Sequence, residues 1–203
     1  MKGLYRFWMA GVMLASLSSY RCWADRRFDS PTLTSEQVGV YGDLLDSLSR
    51  MNFKFLAKQT IPLDVSSLGG DAPCLQGLEL ERAAESGKAV HSLGREVLRG
   101  RSVEFVGEKE VASLLKERDE ERAANPSGSK KDSTGTAKDP GILVLSEMVF
   151  DKSHQFVVLK YLFLCGSRCN SGAILVLEKV GSHWTGKTRR PCSFVLNQEN
   201  PLR

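Results

Sequence analysis

The sequence predicts an α+β domain: a four- to five-stranded antiparallel sheet with one N-terminal helix packed across it and a helix-linker arm protruding from it. Three observations lead there. Residues 141–197 contain apolar runs rich in β-branched and aromatic residues, separated by short polar breaks. That is the pattern of strands joined by hairpins. Residues 35–49 carry Val38, Tyr41, Leu44, Leu45 and Leu48 at helical spacing. An export-type leader precedes both, and four cysteines follow it.

The first 24 residues read as a removable signal peptide. Lys2 and Arg6 give a positive start, Phe7 to Leu17 is apolar, and Cys22 and Ala24 place small residues at a cleavage site. The apolar stretch falls short of the roughly 20 residues needed to span a bilayer, so a retained anchor is the weaker reading. Arg21 beside Cys22 fits a lipidation signal poorly. The protein is expected to be secreted or periplasmic, touching membrane only through its export signal.

Removing that leader changes the charge argument. The whole chain of 203 residues carries a formal +4. Residues 1–24 hold Lys2, Arg6 and Arg21 and no acid, which leaves 25 basic and 24 acidic residues. A near-neutral remainder gives no electrostatic case for nucleic acid, which needs a concentrated positive face.

The remaining chain divides into residues 25–124, a helix and strand part; 125–140, a flexible linker; and 141–203, a C-terminal antiparallel meander. Thr34 and Gln37 form a capping box, with Leu33 and Val38 placed as a hydrophobic staple, so the 35–49 helix has a defined start. Residues 52–61 set Phe53, Phe55 and Ala57 against Lys54, Leu56 and Lys58, a half-buried strand stopped by Pro62. Residues 62–80 read as loop around Gly69, Gly70 and Pro73. Gly87 and Gly94 argue against one long helix over 83–98. A short strand follows at 101–106.

Residues 108–124 are strongly helix-forming, with Val111, Leu114 and Leu115 on one side and a charge-mixed, solvated second half. Residues 125–140 lack large apolar residues and are rich in Gly, Ser, Thr, Lys and Pro. Gly128 to Lys131 resembles half a phosphate loop, but follows a helix and lacks the leading glycine.

In the meander, strands are expected at about 142–150, 155–164 and 173–180. Asp151 to His154 turns between the first two, and Gly181 with Ser182 turns after the third. The 155–164 strand is apolar on both faces and therefore central. A fourth strand opens at Trp184 and runs through polar Thr188, Arg189 and Arg190, as an edge strand does.

One set of residues is similar to a known group. Leu145, Ser146, Glu147, Phe150, Asp151, Lys152 and His154 lead to Cys165, Gly166, Ser167 and Cys169, then to Leu177, Glu178, Lys179, Val180, Gly181 and Trp184. This resembles small exported bacterial proteins of unassigned function with a cysteine-bearing loop in a C-terminal meander. Leu33, Thr34, Cys74, Leu75 and Gly77 resemble the same group. Asn170 stands where the group has glycine, and asparagine tolerates the positive φ such a turn uses. Phe194 stands near the group's tryptophan. The resemblance implies export and a cysteine-bearing meander, and no substrate, cofactor or catalytic residue.

The chemistry-bearing residues are Cys74, Cys165, Cys169 and Cys192. An even count in an exported chain points to disulfides, and four cysteines allow three pairings. The preferred set is Cys165–Cys169 with Cys74–Cys192. Zinc could use Cys165 and Cys169 with Cys192, His154 or His183, but no second tight pair completes a ligand set. Thiol exchange favours a C-x-x-C spacing at a helix start, which is absent, although Arg168 could stabilise a thiolate. A free thiol could also pair with His154 or His183 as a nucleophile.

The histidines read as surface residues, His91 in a surface segment and the others in turns. Glu147 and Lys160 are expected on the solvated side of the sheet. Tyr161, Phe163 and Trp184 are candidates to line a ligand groove, or else core. No catalytic residue, metal site or cofactor is expected. The expected function is a non-enzymatic exported module binding a protein, peptide or envelope component. The alternatives are thiol or metal chemistry at Cys165 and Cys169, or a small-molecule carrier.

Overall fold

Ten consecutive buried residues, Gly141–Phe150, form the strand around which the domain is layered. A strand buried at every position needs cover on both faces and neighbours on both edges, and the fold supplies all four. The computed structural model describes residues 31–65, 74–81, 89–124, 140–166 and 170–186. All lie within the unit Pro31–Arg203. The expected signal peptide, most of the expected linker, Gly128 to Lys131, Cys169, Thr188 to Arg190, Cys192 and Phe194 lie outside the described residues.

The element order is α1 (Ser35–Ser47), β1 (Phe53–Ala57), a 3-10 turn (Arg95–Leu98), β2 (Glu104–Val106), α2 (Glu108–Ala124), β3 (Gly141–Phe150), β4 (Phe156–Leu164), β5 (Ser171–Val180) and β6 (His183–Gly186). Among the described residues, six strands form one sheet in the order β2-β1-β3-β4-β5-β6. From β3 to β6 it is an antiparallel meander. β1 runs parallel to both β2 and β3.

The α+β class stands, but the purely antiparallel sheet of four or five strands is corrected to a mixed sheet of six. The cause is visible in the chain. β2 and β3 point the same way on either side of β1, and parallel strands need a crossover. Helix α2 is that crossover. Val111 is buried, and Leu114 and Leu115 pack with it over Ala57, Val106, Ile142, Val144, Leu162 and Leu164. The start of α2 is therefore a layer of the fold, where an arm was expected.

Helix α1 covers the opposite face. Its capping box is formed as expected: Thr34 Oγ1 accepts from Gln37 N at 3.2 Å, and Gln37 Oε1 accepts from Thr34 N at 2.8 Å. Val40, Tyr41, Leu44 and Leu45 pack on Leu143, Leu145, Met148, Val157, Leu159, Leu177 and Trp184. Leu63, Val65 and Cys74 cover the rest of the α2 face, over Val149, Val158, Ile174 and Val176. No helix among the described residues is long and apolar enough to cross a membrane.

β1 is not a half-buried strand with one apolar face. Its register shifts between Phe53 and Phe55. Phe53 and Leu56 then join the α1 side, while Phe55 and Ala57 join the α2 side. β4 is central, as its apolar pattern implied, and β6 is the last strand of the sheet among the described residues.

Close packing fixes the start of β3. A Cβ at Gly141 would lie 2.1 Å from the Phe163 ring. Gly141→Ala should therefore cost about 1–3 kcal/mol through overpacking, read as a lower urea midpoint with an unchanged slope.

Candidate functional site

The β3–β4 register breaks at one place. Leu145 pairs with Tyr161 and Met148 with Leu159, so Ser146 and Glu147 together oppose Lys160. This bulge has a clear consequence for packing. Before it, Leu143 and Leu145 face α1; after it, Met148 and Phe150 do. The extra residue switches the parity of the strand.

The bulge also places two polar side chains inside the domain. Ser146 is 0% and Glu147 1% exposed. Ser146 Oγ donates to the Glu147 carbonyl at 2.6 Å and accepts from Lys160 N at 2.7 Å, replacing a lost rung of the ladder. The chain beyond β1 closes the other edge. Ile61 N donates to Leu145 O at 3.0 Å, and Glu147 N donates to Ile61 O at 2.7 Å.

Glu147 is held by two further segments. Its Oε2 lies 2.8 Å from His91 Nδ1, and its Oε1 accepts from His91 N at 2.9 Å. Thr60 Oγ1 donates to the same Oε1 and lies 2.9 Å from His91 N. Thr60 N donates to His91 O at 3.0 Å. From α1, Tyr41 Oη donates to Ser146 O at 2.9 Å. Burial, aided by the Glu147 charge, pushes the Tyr41 phenol well up, so it remains a neutral donor.

Two expectations are corrected here. Glu147 is buried and paired with His91, not solvated. His91 is itself only 8% exposed, not a surface residue. Lys160, expected on the solvated side, is half-buried, and burial lowers its pKa.

Beside Thr60 a groove of about 220 Å³ opens between β1, β2, β3 and the first turn of α2. Ile61, Val106, Val111 and Val144 give it an apolar lining, and Gln59, Thr60 and Glu108 are its polar members. None of Tyr161, Phe163 and Trp184 lines it. Trp184 is 5% and Phe163 8% exposed, and Tyr161 is half-buried against the α1 core.

A second polar cluster joins α1 to β6. Asp43 Oδ1 lies 2.5 Å from Arg99 Nη1 and 3.4 Å from His183 Nδ1, and Oδ2 accepts from Trp184 N at 2.7 Å. Burial raises the Asp43 pKa, but the bonds from Trp184, Arg99 and His183 outweigh it and leave the carboxyl below its usual range. The guanidinium of Arg99 lies across the helix because residue 42 is glycine, where a Cβ would meet Arg99 Nε at 2.3 Å.

Cys74 and Cys165 are 2% and 0% exposed. Cys74 belongs to the cluster with Leu63, Val65, Val149, Val158, Ile174 and Val176. The turn after β4 is made by Gly166 at φ 103. Asn170 acts there through its side chain, accepting from Cys165 N at 3.1 Å. No group of three or more metal-ligating side chains occurs among the described residues.

No family model, no curated protein and no solved structure matches this chain.

Two outcomes follow from the geometry. Glu147→Ala strands the buried donors of His91 and Thr60, and loss of one member of a buried pair costs about 3–5 kcal/mol, measurable by urea unfolding. Asp43 has a depressed folded pKa, so its stabilisation is present above the unfolded value of about 3.9 and fades as pH falls through the folded one. Asp43→Asn should flatten the acid limb of the stability profile relative to wild type.

Proposed function

We propose that the protein is an exported, non-enzymatic binding module whose groove beside Thr60 takes one side chain of a protein, peptide or envelope partner. The groove is the observation that carries this reading. At about 220 Å³ it is smaller than the roughly 300–1,000 Å³ of sites that enclose small-molecule ligands. That size favours a side chain over a carried molecule. Its valine walls suit an aliphatic stem, and the Glu108 carboxylate among its lining residues suits a basic head.

The neighbouring polar cluster supports binding over catalysis. A nucleophile is activated when its proton goes to a base. Here Thr60 donates to Glu147 and not to the His91 ring, so the three groups satisfy one another. Thiol exchange needs an accessible thiolate, and Cys165 is wholly buried.

Export rests on the leader at 1–24 and on the disulfide reading of the cysteines, in line with the resemblance to small exported bacterial proteins. We propose the bridges Cys165–Cys169 and Cys74–Cys192. The first closes a short loop and stabilises by about 2 kcal/mol on the chain-entropy model, and the second joins the two halves of the domain and stabilises by about 4–5 kcal/mol. Non-reducing peptide mapping of natively exported protein should recover these two bridges; four free thiols would contradict the assignment.

The groove is tested with N-acetyl-lysine N-methylamide as probe in a two-dimensional amide titration. Millimolar probe should shift Thr60, Ile61, Val106 and Val111. Val111→Phe should abolish the response, and Glu108→Gln should weaken it several-fold. Equal shifts in wild type and Val111→Phe, or none in either, would overturn the reading.

A further inference from the structure

The turn between β3 and β4 holds a histidine in an arrangement that only one protonation state satisfies. His154 has φ 53, and its ring stacks on Phe150 at 5.0 Å and 15°. Phe150 in turn meets Trp184 edge-on at 5.8 Å. His154 Nδ1 lies 3.0 Å from Glu36 Oε2, and Nε2 lies 3.1 Å from Glu81 Oε1. The carboxylates come from different parts of the chain. Glu36 is in the first turn of α1. Glu81 lies on a segment bonded to the same hairpin, with Glu81 N donating to Phe150 O at 2.9 Å and Lys152 N donating to Glu79 O at 2.8 Å.

A neutral imidazole has one N–H. It can donate to one carboxylate only, and its other nitrogen then turns a lone pair toward a carboxylate oxygen. Two carboxylates at hydrogen-bond distance from both nitrogens therefore require the imidazolium. We propose that His154 is a pH-operated clasp, closed as the imidazolium between Glu36 and Glu81, and released at the Glu81 side when the ring loses its proton.

The surrounding charges decide which side lets go. Glu36 also binds Lys179 Nζ at 2.8 Å, and Lys179 lies 5.3 Å from the Trp184 ring centroid, so Glu36 keeps a cation after His154 turns neutral. Of the other acids, Asp151 is occupied by its own turn, accepting from Gln155 N at 2.9 Å and Phe156 N at 2.7 Å. Glu79 pairs with Lys152 at 3.1 Å, and Glu178 follows strand alternation onto the other face of β5. Glu81 has the more exposed carboxylate, 42% against 29% for Glu36.

The energetic direction agrees with the geometry. The Glu36 bond raises the His154 pKa, burial lowers it, and the Glu81 bond raises it again, for a net upward shift. A histidine raised on folding stabilises fully below its unfolded pKa of about 6.5, and that stabilisation disappears as pH rises through the folded value. The clasp is thus shut in acid and open in base. This inference does not depend on the groove or on the partner it takes.

The test is an NMR titration of the His154 ring in the full chain, with Glu81 amide exchange followed in parallel. At pH 6 both ring nitrogens should be protonated, and the midpoint should lie above 6.5. Glu81→Gln should lower the midpoint, and Glu36→Gln should lower it further. Across the wild-type midpoint, Glu81 amide exchange should rise beyond the tenfold per pH unit of ordinary base catalysis. That excess should vanish in His154→Asn, which suits the left-handed turn. A midpoint at or below 6.5 that Glu81→Gln leaves in place would overturn the proposal, as would an exchange profile identical in wild type and His154→Asn. If His154→Asn does not fold, the Glu81→Gln midpoint decides alone.

Discussion

A buried carboxylate sets the terms for this fold. Glu147 sits in the middle of the sheet at 1% exposure, where an unpaired charge would cost several kcal/mol. It is tolerated because three pieces of chain converge on it. The 89–93 segment brings His91, the chain after β1 brings Thr60, and β3 supplies a bulge that turns the side chain toward both. The bulge also reverses the parity of β3, so Met148 and Phe150 reach the α1 core. One local irregularity thus couples the polar interior to the apolar one.

The features proposed to function lie on either side of this constraint. The groove opens beside Thr60, between the parallel strands and the crossover helix α2. The His154 clasp lies at the far end of β3, where Phe150 leaves the sheet and the hairpin turns. Positioning a side-chain-sized groove requires that β1, β2 and α2 hold a fixed spacing. The Thr60–His91–Glu147 bonds and the Val111 packing provide it.

Much of the meander was legible in the sequence, because hairpin strands announce themselves by local pattern. The capping box at Thr34 and the apolar stripe of α1 were legible for the same reason. The parallel half was not. β2 is three residues long, and nothing local says which way a short strand will pair. A strand, helix and strand in succession at 101–150 was the available signal for a crossover, and the charge-mixed second half of α2 hid it. Glu147 and His91 were misplaced because a charged residue in an apolar strand is ordinarily solvated. The partner that reverses that expectation lies 56 residues away. Only the change in spacing between Leu145 and Met148 hinted at a bulge.

The central claim is that Glu147 fixes the irregular 89–93 segment as firmly as the sheet itself. Native-state hydrogen exchange at the His91 amide tests it most directly, because that N–H has Glu147 Oε1 and Thr60 Oγ1 as its acceptors and belongs to no strand. The account predicts protection comparable to the Val158 and Leu159 amides at the centre of β4. Exchange at the rate of an exposed loop, with the β4 amides still protected, would contradict it.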